Sequence, residues 1–167
     1  MIRFFVVMLL WVLISTVGFA DDGSLHGKAE KLGEKLSATT SILSRKYEVD
    51  TITQFCSTAH PVLSRDVDAS YANWCARNLS KANMANHVRE SVLDAIKDIT
   101  CKGCASEFSK TSDFYIKYMG DTFKKQMENS DVAEQVKLCT QYISHIEAGD
   151  YDIKNSWYEK ISDNVLN

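Results

Sequence analysis

Proline is almost absent from this chain: 167 residues contain one, Pro61, together with only seven glycines. A strand-rich fold needs frequent turn residues, so this scarcity argues against one. Blocks of like charge are missing too. The 19 Lys+Arg and 22 Asp+Glu are interspersed, leaving a formal charge of −3. With no basic stripe, nucleic acid is not an expected partner, and no charged tail is present. There is no internal repeat, no Gly-x-Ser-x-Gly elbow, no His-Glu-x-x-His and no glycine-rich phosphate loop.

Long apolar runs are confined to one place. Arg3 is the only charge before Asp21, and Phe4 to Ala20 is apolar apart from Ser15, Thr16 and Gly18. The run ends Gly18-Phe19-Ala20, with small residues where signal peptidase cuts, so residues 1–20 are expected to be a cleavable secretory signal. A bilayer span needs about 20 apolar residues, and this run is shorter. An uncleaved anchor is the rival reading, and the lack of a cysteine at the cut argues against a lipoprotein. Cleavage removes one base and no acid, so the charge falls from −3 to −4. About 147 residues remain, enough for a single domain (21–167) with a real core. The expected location is extracellular, or periplasmic in a bacterium, with no stable membrane span after cleavage.

What is present is helical periodicity. Seven apolar stripes recur at steps of three and four: Leu25 to Tyr47, Ile52 to Leu63 with Asp50 as N-cap, Ala72 to Leu79, Met84 to Ile99, Phe108 to Met127, Val132 to Ile146 closed by Gly149, and Ile153 to Val165. Pro61 kinks or ends the second stripe, because it has no N–H to give, and Gly120 is a weak point in the fifth. Short connections imply antiparallel neighbours. The expectation is an all-α fold: a compact, disulfide-stapled antiparallel bundle of about six or seven amphipathic helices.

The five cysteines are Cys56, Cys75, Cys101, Cys104 and Cys139. In an oxidising compartment proximate thiols pair, and an odd number leaves at least one over. Fifteen two-bridge arrangements are open. The favoured pairs are Cys56–Cys75, stapling a helical hairpin, and Cys101–Cys139, with Cys104 as the free or redox thiol. The spare thiol also leaves a disulfide-linked dimer open.

Cys101-Lys102-Gly103-Cys104 is the motif with the most chemical content, since a helix start can acidify one thiol for disulfide exchange. Redox enzymes normally place such a pair after a strand, which is not expected here. Ala105 in place of His excludes the c-type haem signature. A zinc site from Cys101, Cys104, Cys139 and His145 is weighed and set aside, because Cys139 and His145 fall on different helix faces. His26, His60, His87 and His145 are scattered. The pairs Asp66/Asp68, Asp94/Asp98 and Asp150/Asp152 read as solvated helix faces. Asn78-Leu79-Ser80 is a glycosylation acceptor in a eukaryote. Phe114, Tyr115, Tyr118 and Phe123 cover more than one helix face; they suit a broad buried face, an apolar cavity or a partner groove.

The cysteine spacing fits neither the saposin-like pattern nor that of insect odorant-binding proteins, and no family follows. No catalytic, cofactor-binding or metal-ligating residue is assigned, and no cofactor is expected. The functional expectation is an exported, non-enzymatic helical module that binds a protein partner or a small apolar ligand. Its alternative is a thiol–disulfide redox protein using Cys101 and Cys104.

Overall fold

The computed structural model describes residues 23–99 and 103–162, with side chains from residue 27. The expected signal, Cys101 and Val165 lie outside the described residues, and the side chain of His26 lies outside the described side chains. Among the described residues five α-helices follow one another: α1 Gly23–Ala59, α2 Ser64–Ile99, α3 Cys104–Glu128, α4 Val132–Glu147 and α5 Asn155–Ser162. A 3-10 turn at Pro61–Leu63 joins α1 to α2. Among the described residues there is no strand.

The stripes were right about helix, and the described residues give five helices where six or seven were expected. Neither Gly nor Pro separates the first stripe from the second, or the third from the fourth, and each pair fuses into one helix of 37 or 36 residues. At about 1.5 Å per residue these are rods of about 55 Å. Asp50, expected as an N-cap, sits inside α1, where it accepts from Lys46 and Tyr71. Pro61 does end its helix: α1 stops at Ala59, and Pro61 opens the 3-10 turn, where a missing N–H costs nothing. α4 is capped by Asp131, whose carboxylate accepts from Glu134 N at 2.9 Å. It is closed by Gly149 at φ 81°, with Asp150 N donating back to His145 O.

Cross-helix hydrogen bonds give the directions. Ser57 meets Asp68 and Tyr71 meets Asp50, so α2 runs back along α1. Thr40 meets Ser112 and Tyr47 meets Asp121, so α3 runs up alongside α1. Thr53 meets Tyr142, and α4 comes down again. α5 continues that descent, from Asn155 beside Lys81 to Lys160 beside Glu34. The result is an up-down-up-down bundle whose fourth column is α4 and α5 in series.

The same register decides the disulfide. Cys56 faces α2 near Asp68, about 10 Å along the axis from Cys75, whereas bridged Cα atoms lie within about 7 Å. The expected Cys56–Cys75 bridge therefore does not form. Cys56 pairs instead with Cys139, at a Cα–Cα distance of 5.7 Å, tying α1 to α4 across 83 residues. This also removes the expected Cys101–Cys139 bridge. Cys75, expected to be bridged, is free and half-buried.

The third stripe faces outward. Ala72, Ala76 and Leu79 are exposed, as is Met84 at the start of the fourth stripe, and the buried face of α2 is Val67, Ser70, Trp74, Asn78, Ala82, Ala85, Val92 and Ile96. Two polar residues disguised it, and both are satisfied inside: Ser70 donates to Ile143 O, and Asn78 is held three ways. Gly120 is no weak point but the place where α3 crosses α1. A Cβ there would lie 2.8 Å from the Tyr47 ring and 2.9 Å from Thr51 Oγ1.

Two apolar clusters make the core. The upper one gathers Ile42, Val49, Ile52, Cys56, Trp74, Met127, Cys139, Tyr142 and Ile146, among others, from all the helices. The lower one is Leu32, Leu36, Val92, Ile96, Cys104, Ala105 and Phe108. A polar layer lies between them. Thr40 and Ser112 hydroxyls are 2.8 Å apart, and Arg89 reaches Ser112 Oγ at 3.1 Å and Asp113 at 2.7 Å.

Candidate functional site

Residues 45–53 of α1 collect the groups whose proton affinities are displaced, and such displacement clusters at functional sites. Glu48 is largely buried and ion-paired to Arg45 at 2.8 Å. Burial raises its carboxyl above the usual range, and Arg45 opposes this. Arg45 also lies over the Tyr151 ring, 5.0 Å from its centroid. Tyr142 packs edge-on to Tyr151 and donates to Val49 O at 3.0 Å; burial is the main cause of its raised hydroxyl. Tyr151 is raised chiefly by burial as well. Tyr71 is raised by burial and then by its bond to Asp50, with Cys75 beside it. Tyr47 is raised first by its bond to Asp121.

What this cluster can do chemically is limited by what it is already doing. Tyr47, Tyr71 and Tyr142 donate to acceptors within the fold, and Glu48 and Asp50 hold cations. General acid–base work needs two titratable groups facing one reactive site with opposed tendencies, and these groups face one another through the packing. Sequence reading missed them because tyrosine and glutamate on a helix look like ordinary half-exposed residues. Their one signal was that α1 is apolar or small on every side between residues 36 and 43, as befits a central helix.

The sequence candidates are dispersed. Cys104 opens α3, is buried and is disulfide-bonded, which corrects its reading as the free thiol; its partner lies outside the described residues. Cys139 is consumed by Cys56, and His145 is exposed against Asp150, so the zinc set is not assembled. Among the described residues no three His, Cys, Asp or Glu converge in a metal-binding group. His87 is exposed, whereas His60 is buried with Nε2 lacking a partner among the described residues.

Asp66, Asp68, Asp94, Asp98 and Asp150 face solvent. Asp152 does not: it takes Arg77 Nε at 2.9 Å and Asn78 Nδ2 at 2.8 Å. Asn78 is 1 % exposed, donates also to Trp74 O, and accepts from Ile153 N. A glycan on that amide is incompatible with this fold, which corrects the reading of Asn78 as an acceptor.

The aromatic quartet is split by the α3 surface. Tyr115 and Phe123 are half-buried, and Phe123 packs on the upper core. Phe114 and Tyr118 point outward, 60 % and 49 % exposed, their rings 5.8 Å apart, with Met119 beside them at 43 %. The quartet therefore does not wall a single cavity. No family model, no curated protein and no solved structure matches this chain. No described helix is long and apolar enough to cross a membrane.

Proposed function

We propose that this protein is an exported helical binding module whose contact surface is the outer face of α3. One observation carries the reading. Phe114, Tyr118 and Met119 are exposed together on adjacent turns of one helix, while the other exposed large apolar residues, Val62, Leu79, Met84 and Val132, sit on other elements. Aromatic and methionine side chains with a charged surround are the composition of interface centres. The disulfide supports the export part, since such bonds persist in oxidising compartments. A protein partner is favoured over an enclosed apolar ligand, because the aromatic strip faces out of the bundle.

Anilinonaphthalene sulfonate fluorescence tests this. The native protein is expected to bind the dye, and Phe114→Ser/Tyr118→Ser to lose that binding with unchanged helicity. Absence of dye binding in the native protein, or its persistence in the variant, would overturn the reading.

A second reading is thiol–disulfide exchange at Cys101 and Cys104, supported by Cys104 being oxidised at the first turn of α3. It expects catalysis of insulin reduction that Cys104→Ser abolishes. Activity retained in that variant, or absent from the native protein, would remove it.

A further inference from the structure

The outer face of α3 carries a charge pattern that is complementary to itself when reversed. Phe114 and Tyr118 stand at its centre. Glu107 lies seven residues before Phe114, and Lys125 seven residues after Tyr118. Seven residues are almost two full turns, so both return to the aromatic face, each about 10 Å beyond the nearer aromatic residue. Lys110 lies four residues before Phe114 and Asp121 three after Tyr118, again on that face. All four are exposed.

We infer that the partner of this surface is a second copy of the chain, docked with the two α3 helices antiparallel. This rests on the reading of α3's outer face as the contact surface. A two-fold axis midway between Phe114 and Tyr118 sets each Phe114 against the partner's Tyr118. The same operation sets each Glu107 against the partner's Lys125, and brings each Lys110 within one residue of the level of the partner's Asp121. Every contact occurs twice, as an isologous interface requires; one register satisfies the aromatic pair and the Glu107–Lys125 pair, and leaves Lys110 and Asp121 offset by about 1.5 Å along the axis, within reach of a lysine side chain.

The charges are available at little cost. Lys125 has no ion-pair partner among the described residues. Lys110 is engaged only with Glu107, an exposed i,i+3 pair, and such pairs contribute almost nothing. Asp121 gives one oxygen to Tyr47 and keeps the other. Lys117 is the one mismatch, since it falls near its own copy across the axis. One helix face is smaller than a standard interface of about 800 Å² per partner, so the dimer is weak and depends on concentration.

Sedimentation equilibrium tests this in a Cys75→Ser background, which removes any bridged dimer. Between about 1 µM and 1 mM protein the average mass is expected to rise from one chain toward two. Lys125→Glu, which sets acid against acid, should weaken association by about tenfold or more. Glu107→Lys/Lys125→Glu, which restores opposite charges, should recover it, and Lys117→Gln should tighten it. Added salt should weaken every associating form.

A monomer over the whole range overturns the proposal. So does a dimer that Lys125→Glu leaves untouched, which would place the interface elsewhere. If the protein is monomeric while dye binding still depends on Phe114 and Tyr118, the second copy fails and the contact surface stands. If dye binding is absent as well, both fail.

Discussion

The two ends of the bundle are built differently. The upper core joins sixteen buried residues, among them Trp74, Met127, Tyr142 and the Cys56–Cys139 bridge, and it draws on every helix. Among the described residues the lower core has seven, mostly aliphatic, from α1, α2 and α3. The raised tyrosines and Glu48 belong to the upper region, as does the loop stitched by Asn78 and Asp152. Local stability follows buried apolar contact and cross-linking. The lesson is that one long helix can be firmly held at one end and lightly at the other, with the Thr40–Ser112–Arg89 layer marking the change.

Four measurements sharpen or break this contrast. The largest effect is expected from Cys56→Ala/Cys139→Ala. Opening a loop of 83 residues should cost about 4–5 kcal/mol in the chain-entropy model. Denaturant unfolding would read that loss, and α4 amides should then exchange as fast as those of the lower half of α1. If α4 remains the better protected, the bridge does not make the upper region firm.

Leu36→Ala, in the lower core, should cost about 2–4 kcal/mol. Hydrogen exchange should speed up in the first half of α1 and the end of α2 while the Trp74 region keeps its protection. A uniform loss would show that the two cores unfold as one.

Gly120→Ala comes next, at the α1–α3 crossing. The added methyl meets Tyr47 and Thr51 at under 3 Å. Despite the better helix propensity of alanine, a net loss of about 1–2 kcal/mol is expected by thermal unfolding. A gain in stability would mean that the Tyr47 ring swings aside freely.

The smallest effect concerns pH. Glu48's proton affinity is raised on folding above the reference value of 4.5. The folded state therefore holds more proton than the unfolded one just above that pH. Stability from this group is full below about pH 4.5 and falls as pH rises through the folded value. Glu48→Gln should flatten that slope in urea titrations at several pH values; an unchanged slope would assign the dependence to other groups.

How much of this was legible beforehand depended on which property was asked for. The helical class was open to reading, because burial forces a three-and-four spacing and Pro61 is the one strong breaker. Helix count was less so, since a change of apolar face at Asp50 or Asn78 looks like an end when it is only a change of neighbour. Joining the third and fourth stripes through Trp74, Asn78, Ala82 and Ala85 would have exposed Asn78 as an inward residue. The bridge was illegible because the nearest cysteine in sequence is out of register by several residues. Spacing already put Tyr115 and Phe123 on the fifth stripe and left Phe114 and Tyr118 off it; that Met119, on the same stripe, is exposed needed the position of α1.

The length of the native bridge also bears on how the chain matures. Cys75 is 19 residues from Cys56, and Cys139 is 83. In an unfolded polymer, encounter probability falls roughly as the three-halves power of separation, which favours the nearer thiol about ninefold. Early oxidation is thus expected to trap Cys56 with Cys75, a pairing that the finished bundle forbids. Acid quenching and peptide mapping at successive times should show this species rise and then decay into Cys56–Cys139 by thiol exchange. Cys139 is the last of the five cysteines in the chain, so wherever oxidant meets the chain from its amino end, Cys56 can oxidise before its proper mate has arrived, and the tempo of oxidant supply then becomes part of how this protein reaches its form.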